Sequence, residues 1–271
     1  MTMSSELTGI KARQQKTWAS GDYGAVGALI QPVAERLVQA ADLSAGSRVL
    51  DVATGTGNAA LAAARCLCEV TGVDYVPALL ERARARADAE HLPARFTEAD
   101  AEALPCADGE FDAVVSVVGV MFAPDQERAA AELTRACRPG GTIALANWTP
   151  DGFIGELFRT VGRRVPPPAG LRAPTEWGSE PRLRELFGDR VSQLRTDRLE
   201  FVFRFASPED FADYFRAHYG PTLKAFEALG DDDAKLLYAD LVGLATGHNV
   251  ATDGTAKIPS AYLQAIAVRA G

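Results

Sequence analysis

The chain has 271 residues, 47% of them hydrophobic, and a formal net charge of −8. That is enough apolar material for one large α/β domain, or for a domain with a cap. The negative balance and the lack of a basic stripe argue against a nucleic-acid partner, and no apolar run reaches the about 18 residues that cross a bilayer. No signal peptide opens the sequence, so a cytoplasmic, reduced protein is expected. Residues 1–24 are polar and expected to be only partly ordered, although Trp18 and Tyr23 lie among them. From Ala25 to Leu43 the apolar residues Val26, Leu29, Ile30, Val33, Leu37 and Val38 recur at helical spacing, with Pro32 predicting a kink or break.

The next stretch, Val49-Leu50-Asp51-Val52-Ala53-Thr54-Gly55-Thr56-Gly57-Asn58, reads as a buried strand, a glycine turn and the start of an alanine-rich helix. Gly55 and Gly57 let the backbone turn tightly and approach a ligand, which points to a nucleotide-type site at the carboxyl edge of a parallel sheet. The glycine frame also fits a dinucleotide fingerprint, so a nicotinamide-linked oxidoreductase is an alternative. Asp51 argues against it, because a carboxylate at the strand end repels a pyrophosphate and attracts the sulfonium and ammonium of S-adenosylmethionine (SAM). Glu69 to Asp74 is a second strand ending in an acid suited to a ribose diol, followed by Tyr75. A third strand begins at Phe96 and ends at Asp100, which suits an adenine amine, with the Ala101 amide beside it. Phe111 to Val118 is a nearly all-apolar fourth strand, and Arg138-Pro139-Gly140-Gly141 turns a helix into a fifth, Thr142 to Asn147. Three acids at successive strand tips thus read as a site for a cationic methyl donor.

In this order and spacing the chain resembles the class I SAM-dependent methyltransferases, closest to the ubiquinone/menaquinone C-methyltransferase and small-metabolite branch. The carrying residues are Leu50 to Gly57, Gly72-Val73-Asp74, Ala99 to Pro105, Phe111-Asp112 and Arg138 to Gly141. The resemblance implies a doubly wound, mostly parallel, seven-stranded Rossmann-like sheet, its last strand antiparallel between the fifth and sixth and a helical cap inserted before it. It implies an N-terminal segment (1–44) over the cofactor, a SAM-binding core (45–150) and a remainder (151–271) with the cap at about 207–247. The cofactor residues it implies are Trp18, Tyr23, Asp51, Ala53, Thr54, Gly55, Gly57, Asp74, Tyr75, Asp100, Ala101, Ser116 and Val117. Ala53 departs from the family's usual first glycine and is acceptable if it keeps a negative φ.

Beyond the fifth strand, Phe153 to Arg163 predicts a helix and Pro166-Pro167-Pro168 a surface linker. A short helix at Leu183 to Phe187 precedes two strand segments, Val191 to Thr196 and Leu199 to Phe205. Helices are expected over 208–218, 221–229 and 231–246, the first with Ser207 as N-cap, and a strand from Ala261 to Arg269. Cys66, Cys68, Cys106 and Cys137 show no metal-ligand spacing, and Cys66-x-Cys68 is expected in the core. Methyl displacement requires no metal. For the acceptor, Met121, Phe122, Trp148, Trp177, Phe215, His218 and Tyr219 are the candidate contacts. A base, if one is used, is His218, with Tyr219 or Tyr23 as substitutes; otherwise the enzyme works by positioning alone. The expected activity is methylation of a small aromatic or apolar metabolite at carbon, nitrogen or oxygen, with a lean to carbon, in secondary metabolism, by a monomer or homodimer. A SAM-binding protein without transfer activity is the other alternative.

Overall fold

The computed structural model describes residues 3–271, with side chains from residue 7 onward. Three helices open the chain: α1 (Met3–Trp18), α2 (Tyr23–Leu29) and α3 (Gln31–Ala41). The segment expected to be part-ordered is therefore largely helical, and the predicted break falls at Ile30, with Pro32 in the first turn of α3, where its missing N–H costs nothing. Alternation of strand and helix follows: β1 (Arg48–Val52), α4 (Asn58–Arg65), β2 (Glu69–Asp74), α5 (Pro77–Ala89), β3 (Ala94–Glu98), β4 (Phe111–Val117), α6 (Gln126–Ala136) and β5 (Cys137–Trp148). Then come α7 (Phe153–Arg164), α8 (Glu180–Phe187), β6 (Val191–Phe205), α9 (Pro208–His218), α10 (Gly220–Ala228), α11 (Asp231–His248) and β7 (Ala256–Arg269).

The sheet has seven strands in the order β3-β2-β1-β4-β5-β7-β6, with β7 antiparallel to both its neighbours and the first five strands parallel. Strand order reverses between β1 and β4, so the ligand crevice is expected outside their carboxyl ends. β1 and β4 read as apolar runs because helices cover both faces; Val49, Leu50, Val114 and Val115 are all buried.

Several boundaries differ from the sequence expectation, among them that of β3, which spans Ala94–Glu98 and leaves Asp100 beyond its end. The strand expected as two segments is one, continuous through Asp197 and Arg198, because β7 pairs with it along its whole length. β7 itself begins at Ala256, and β5 begins at Cys137, its ladder to β4 shifting register between Phe111 and Ala113. Of the two neighbouring cysteines only Cys68 is buried; Cys66 caps the end of α4 and is exposed.

The cap helices α9 to α11 lie in sequence between β6 and β7. The alternating Phe203 and Phe205 of β6 meet α9 through Phe211 and Phe215, with ring centroids 5.5 to 5.8 Å apart, and Phe153 of α7 joins Phe211 at 5.2 Å. Such ring pairs add about 0.5–1.5 kcal/mol each beyond their burial, so the cap is fixed to the sheet by aromatic packing. Ser207 accepts the Asp210 amide, closing the N-terminus of α9 as its sequence predicts. Among the described residues no helix is long and apolar enough to cross a membrane.

Candidate active site

The crevice is built around the loop between β1 and α4. Asp51 is buried and turned into this loop: one carboxylate oxygen accepts the Thr54 hydroxyl at 2.5 Å and the Ala60 amide at 2.9 Å. Burial pushes its pKa up to about 7, even though those two hydrogen bonds favour the ionised form. Asp51 does not line the crevice, so the expectation that it faces the ligand is corrected; one of its oxygens holds the turn.

Ala53 has φ +53°, in the left-handed region, and not the negative φ expected of it. An L-residue there costs roughly 1–2 kcal/mol. Space for its methyl comes from across the crevice, where a Cβ added to Gly119 would lie 2.9 Å from the Ala53 Cβ and 2.4 Å from its carbonyl oxygen. The glycine absent from the first loop is matched by one in the loop it touches. Gly55, at φ +55°, brings its backbone to the edge of the Tyr23 ring, 3.3 Å from where a Cβ would stand. Gly57, at φ +88°, caps α4 over Ala83 and Phe96 and lies behind the crevice wall. Arg86, which the sequence gave no reason to single out, braces the loop by donating to the Thr56 carbonyl and to Asn58, both at 2.7 Å.

Asp74 closes β2 with one oxygen accepting the Gly55 amide and the other the Val76 amide, each at 2.9 Å. Burial raises its pKa to about 6 against the pull of its amide donors. It lines a solvent-open crevice together with Ala53, Thr54, Gly55, Tyr75, Asp100, Ala101 and Val117. Each Asp74 oxygen retains capacity to accept a further hydrogen bond.

One wall of this crevice comes from α1. Lys11 donates to Asp100 at 2.6 Å and pairs with Glu102; burial works against its charge, but the two carboxylates hold its pKa above the ordinary value. Gln14 donates to the Phe122 carbonyl at 3.1 Å and Gln15 to the Tyr75 carbonyl at 2.5 Å. The helix is thus tied to both sides of the switch point. Lys11 and Gln14 line the crevice and Gln15 anchors the helix beside it, and the sequence reading missed all three. Lys11, Gln14 and Trp18 do share one helix face, at the i, i+3, i+7 spacing that would have shown it.

The turn after β4 divides the crevice from an inner chamber. Ser116 is fully buried, donates to the Val52 carbonyl at 2.7 Å and accepts the Val120 amide at 3.0 Å, so its side chain ties the two loops together; of the pair named as cofactor residues here, Val117 and not Ser116 lines the crevice. Val118 has φ +52°, an uncommon conformation for a β-branched residue, and lines both spaces. The chamber is narrow, with a free volume of about 20 Å³, and is bounded by Trp18, Tyr23, Phe122, Trp148, Phe203, Phe215 and Tyr219, completed by aliphatic residues and Phe158. Trp18 packs at its centre, 4.6 Å from Phe122, 5.5 Å from Tyr23 and 5.8 Å from Tyr219 between ring centroids. Not one of its lining residues is an acid, lysine, arginine or histidine.

The structure therefore gathers Phe122, Trp148, Phe215, Tyr219, Tyr23 and Trp18 around one space. It does not bring Met121, Trp177 or His218 there. Met121 is fully buried outside the chamber lining, and Trp177 is fully buried against Phe187, its indole nitrogen without a partner among the described residues. The ring of His218 lies on Tyr214 at 4.6 Å, outside both spaces, while its carbonyl accepts the Asp22 amide. At the C-terminus of α9 the helix rotates Phe215 and Tyr219 inward, four residues apart, and leaves His218 on a different face.

A family profile described as a methyltransferase domain matches residues 49–141. An uncharacterized protein of Mycobacterium tuberculosis is 45% identical over 233 residues, 85% of either chain. A demethylmenaquinone methyltransferase of Thermus thermophilus is 42% identical over 136 residues, 49% of this chain and 62% of that one. Among solved structures, the YcgJ protein of Bacillus subtilis shares the fold with a TM-score of 0.59 and 18% identity, over 88% of this chain and 98% of that one.

Proposed function

Since the chain belongs to the class I SAM-dependent methyltransferases, in the branch that includes the ubiquinone and menaquinone C-methyltransferases, we propose that it methylates a small, uncharged, apolar metabolite held in the inner chamber. The observation that carries this reading is the contrast between two adjoining spaces: a crevice walled by Asp74 and Asp100, and a chamber of aromatic and aliphatic side chains without a charge.

The crevice residues fit the donor. Asp74 has the remaining acceptor capacity for a ribose diol, Asp100 and the Ala101 amide suit the adenine edge, and Gly55 leaves the backbone bare where a side chain would intrude. Bound there, SAM supplies an electrophilic methyl group on a sulfonium. Trp18, Tyr23, Val118 and Phe122 border both spaces and would exclude water from the point where nucleophile and methyl meet. Positioning is the enzyme's main lever on such a displacement, and a dry chamber favours a transition state in which charge is being neutralised. Carbon is the methylated atom we favour, on the likeness to the quinone branch. Membership of this family removes the nicotinamide alternative. A second reading, donor binding without transfer, draws on the lack of a base in the chamber.

The test is incubation of the purified protein with isotopically labelled SAM and a metabolite extract. S-adenosylhomocysteine and a mass-labelled product are expected. Failure to bind SAM overturns the proposal, and binding without turnover of any acceptor favours the second reading.

The strap formed by α1 gives a smaller expectation. Lys11→Met leaves Asp100 and the buried Glu102 without their shared cation, which costs about 1–3 kcal/mol. SAM affinity is expected to weaken several-fold as well, because the crevice loses a wall. Thermal melts with and without SAM measure both effects, and an unchanged melt would remove Lys11 from the site.

A further inference from the structure

The turn between α1 and α2 meets the junction between α9 and α10 backbone against backbone. Gly220, the first residue of α10, is buried there, and a Cβ on it would stand under 3.0 Å from the Thr17 carbonyl oxygen and 3.1 Å from that of Ser20. Gly21 makes the matching approach from the other side. At φ +68° it lies so close to the His218 carbonyl that a Cβ would stand 2.6 Å from the oxygen. The amide of Asp22 then donates to that same oxygen at 3.0 Å. Two segments far apart in the sequence thus interlock through a pair of glycines, each at a point where a side chain would force them apart.

Resting on the methyltransferase reading, we infer that Gly220 and Gly21 are positioning residues for the methyl donor: they clasp α1 to the cap and so hold the crevice wall that α1 provides. The cap side of the clasp is fixed, because α9 is packed on β6 through Phe211 and Phe215. From the clasp α1 runs back along the crevice as one helix of 16 residues, with Trp18 beside the turn, Gln14 on the wall and Lys11 on Asp100. Its other polar ties are the side-chain hydrogen bonds of Lys11, Gln14 and Gln15, each modest by itself, so a turn set loose would carry the wall with it. Tyr219 and Tyr23 stand next to the clasp and both pack on Trp18. Burial raises the pKa of both phenols, helped for Tyr23 by the Asp74 charge and for Tyr219 by Tyr23, so they are packing surfaces for the strap and not the bases expected of them. The chamber these rings close has room for about one or two waters, so an acceptor enters only as the rings part beside the clasp.

Calorimetric titration with SAM and amide hydrogen exchange of α1 test the clasp together. A methyl group at residue 220 must push the Thr17 carbonyl away, so Gly220→Ala is expected to weaken SAM binding about tenfold, although residue 220 does not line the crevice. Exchange in α1 should become faster while the sheet stays protected, which also reports that the variant is folded. Gly21→Ala, which in addition places an L-residue at a positive φ, should independently do the same. A double-mutant cycle separates positioning from a general loss of stability. If both changes act through the placement of α1, the variant carrying Gly220→Ala and Lys11→Met binds SAM within about twofold of the weaker-binding single variant. Unchanged SAM affinity in both glycine variants, losses that multiply in full in the cycle, or α1 exchange as slow as in the wild type overturns the inference alone. Failure of the wild type to bind SAM overturns the proposed function instead, and α1 exchange in Gly220→Ala then still decides whether the clasp holds the helix.

Discussion

Replacement of Asp74 by alanine is expected to weaken SAM binding by about 100-fold or more. Two effects combine. The side chain now accepts the Gly55 and Val76 amides, and removing it leaves two buried donors without partners, at about 1–3 kcal/mol each. The turn that exposes the Gly55 backbone to the ligand then relaxes. The proposed ribose contact disappears as well, and a hydrogen bond to a charged group is worth about 1.5–3 kcal/mol. With about 1.4 kcal/mol for each factor of ten, the middle of that range, about 6 kcal/mol, leaves roughly two decades when half is absorbed by rearrangement. Asp74→Asn separates the two effects, because one amide oxygen can still serve one of the backbone donors, and an intermediate loss of about tenfold is expected. Isothermal titration calorimetry measures both. An affinity unchanged in the alanine variant would sink the assignment of this crevice to SAM.

Much of the frame was legible in the sequence for a definite reason. Parallel strands buried on both faces read as apolar runs, and the residues that end them must turn the chain at the edge where ligands bind. Gly55, Asp74 and Asp100 therefore stand out by position alone, and all three line the crevice. What position cannot give is where a side chain points once the turn is made. Asp51 and Asp74 look equivalent in the sequence, each the acid at or near the end of a strand. Folding turns Asp51 into its own loop and leaves Asp74 on the wall. The positive φ of Ala53 depended on a glycine 66 positions away, Gly119, which no local pattern reveals.

The acceptor side was less legible, because an aromatic side chain in a sequence signals burial and not which space it borders. Phe215 and Trp177 are equally buried, yet only the first lines the chamber. His218 attracted attention as a titratable group on the cap. One helical step from Tyr219 was enough to place it outside. The strap was overlooked because its anchors are glutamines and a lysine, residues typical of any solvated helix, whose partners lie about 60 to 110 positions further along the chain.

The two buried acids also predict an unusual pH profile. Asp51 ionises at about 7 and Asp74 at about 6 in the folded protein, against an ordinary value of 3.8. Between these limits the folded state binds more protons than the unfolded chain, so the stability these groups contribute is fully present below pH 3.8 and is lost as the pH rises through 6 and 7. Each tenfold change in proton affinity is worth about 1.4 kcal/mol, which makes the loss several kcal/mol for the pair. Acids held by arginines behave in the opposite sense. The pKa values of Glu132, hydrogen-bonded to Arg135, and of Asp112, held by the Arg48 amide and Arg138, are lowered, so their stabilisation is lost only as pH falls below the ordinary carboxylate range. The window from about 5 to 7.5 is thus left to Asp51 and Asp74, and the melting temperature of the ligand-free protein is expected to drop across it. Asp51→Asn should flatten the upper part of the profile, since an amide there can still accept from Thr54 or Ala60 but cannot ionise. SAM opposes the trend: as a cation beside Asp74 it favours the ionised carboxylate, so its affinity should rise as pH passes 6. Differential scanning calorimetry at closely spaced pH, with and without SAM, measures both slopes. A melting temperature that climbs from pH 5 to 7.5 in the free protein would show that these carboxyls are not held in the dry surroundings described.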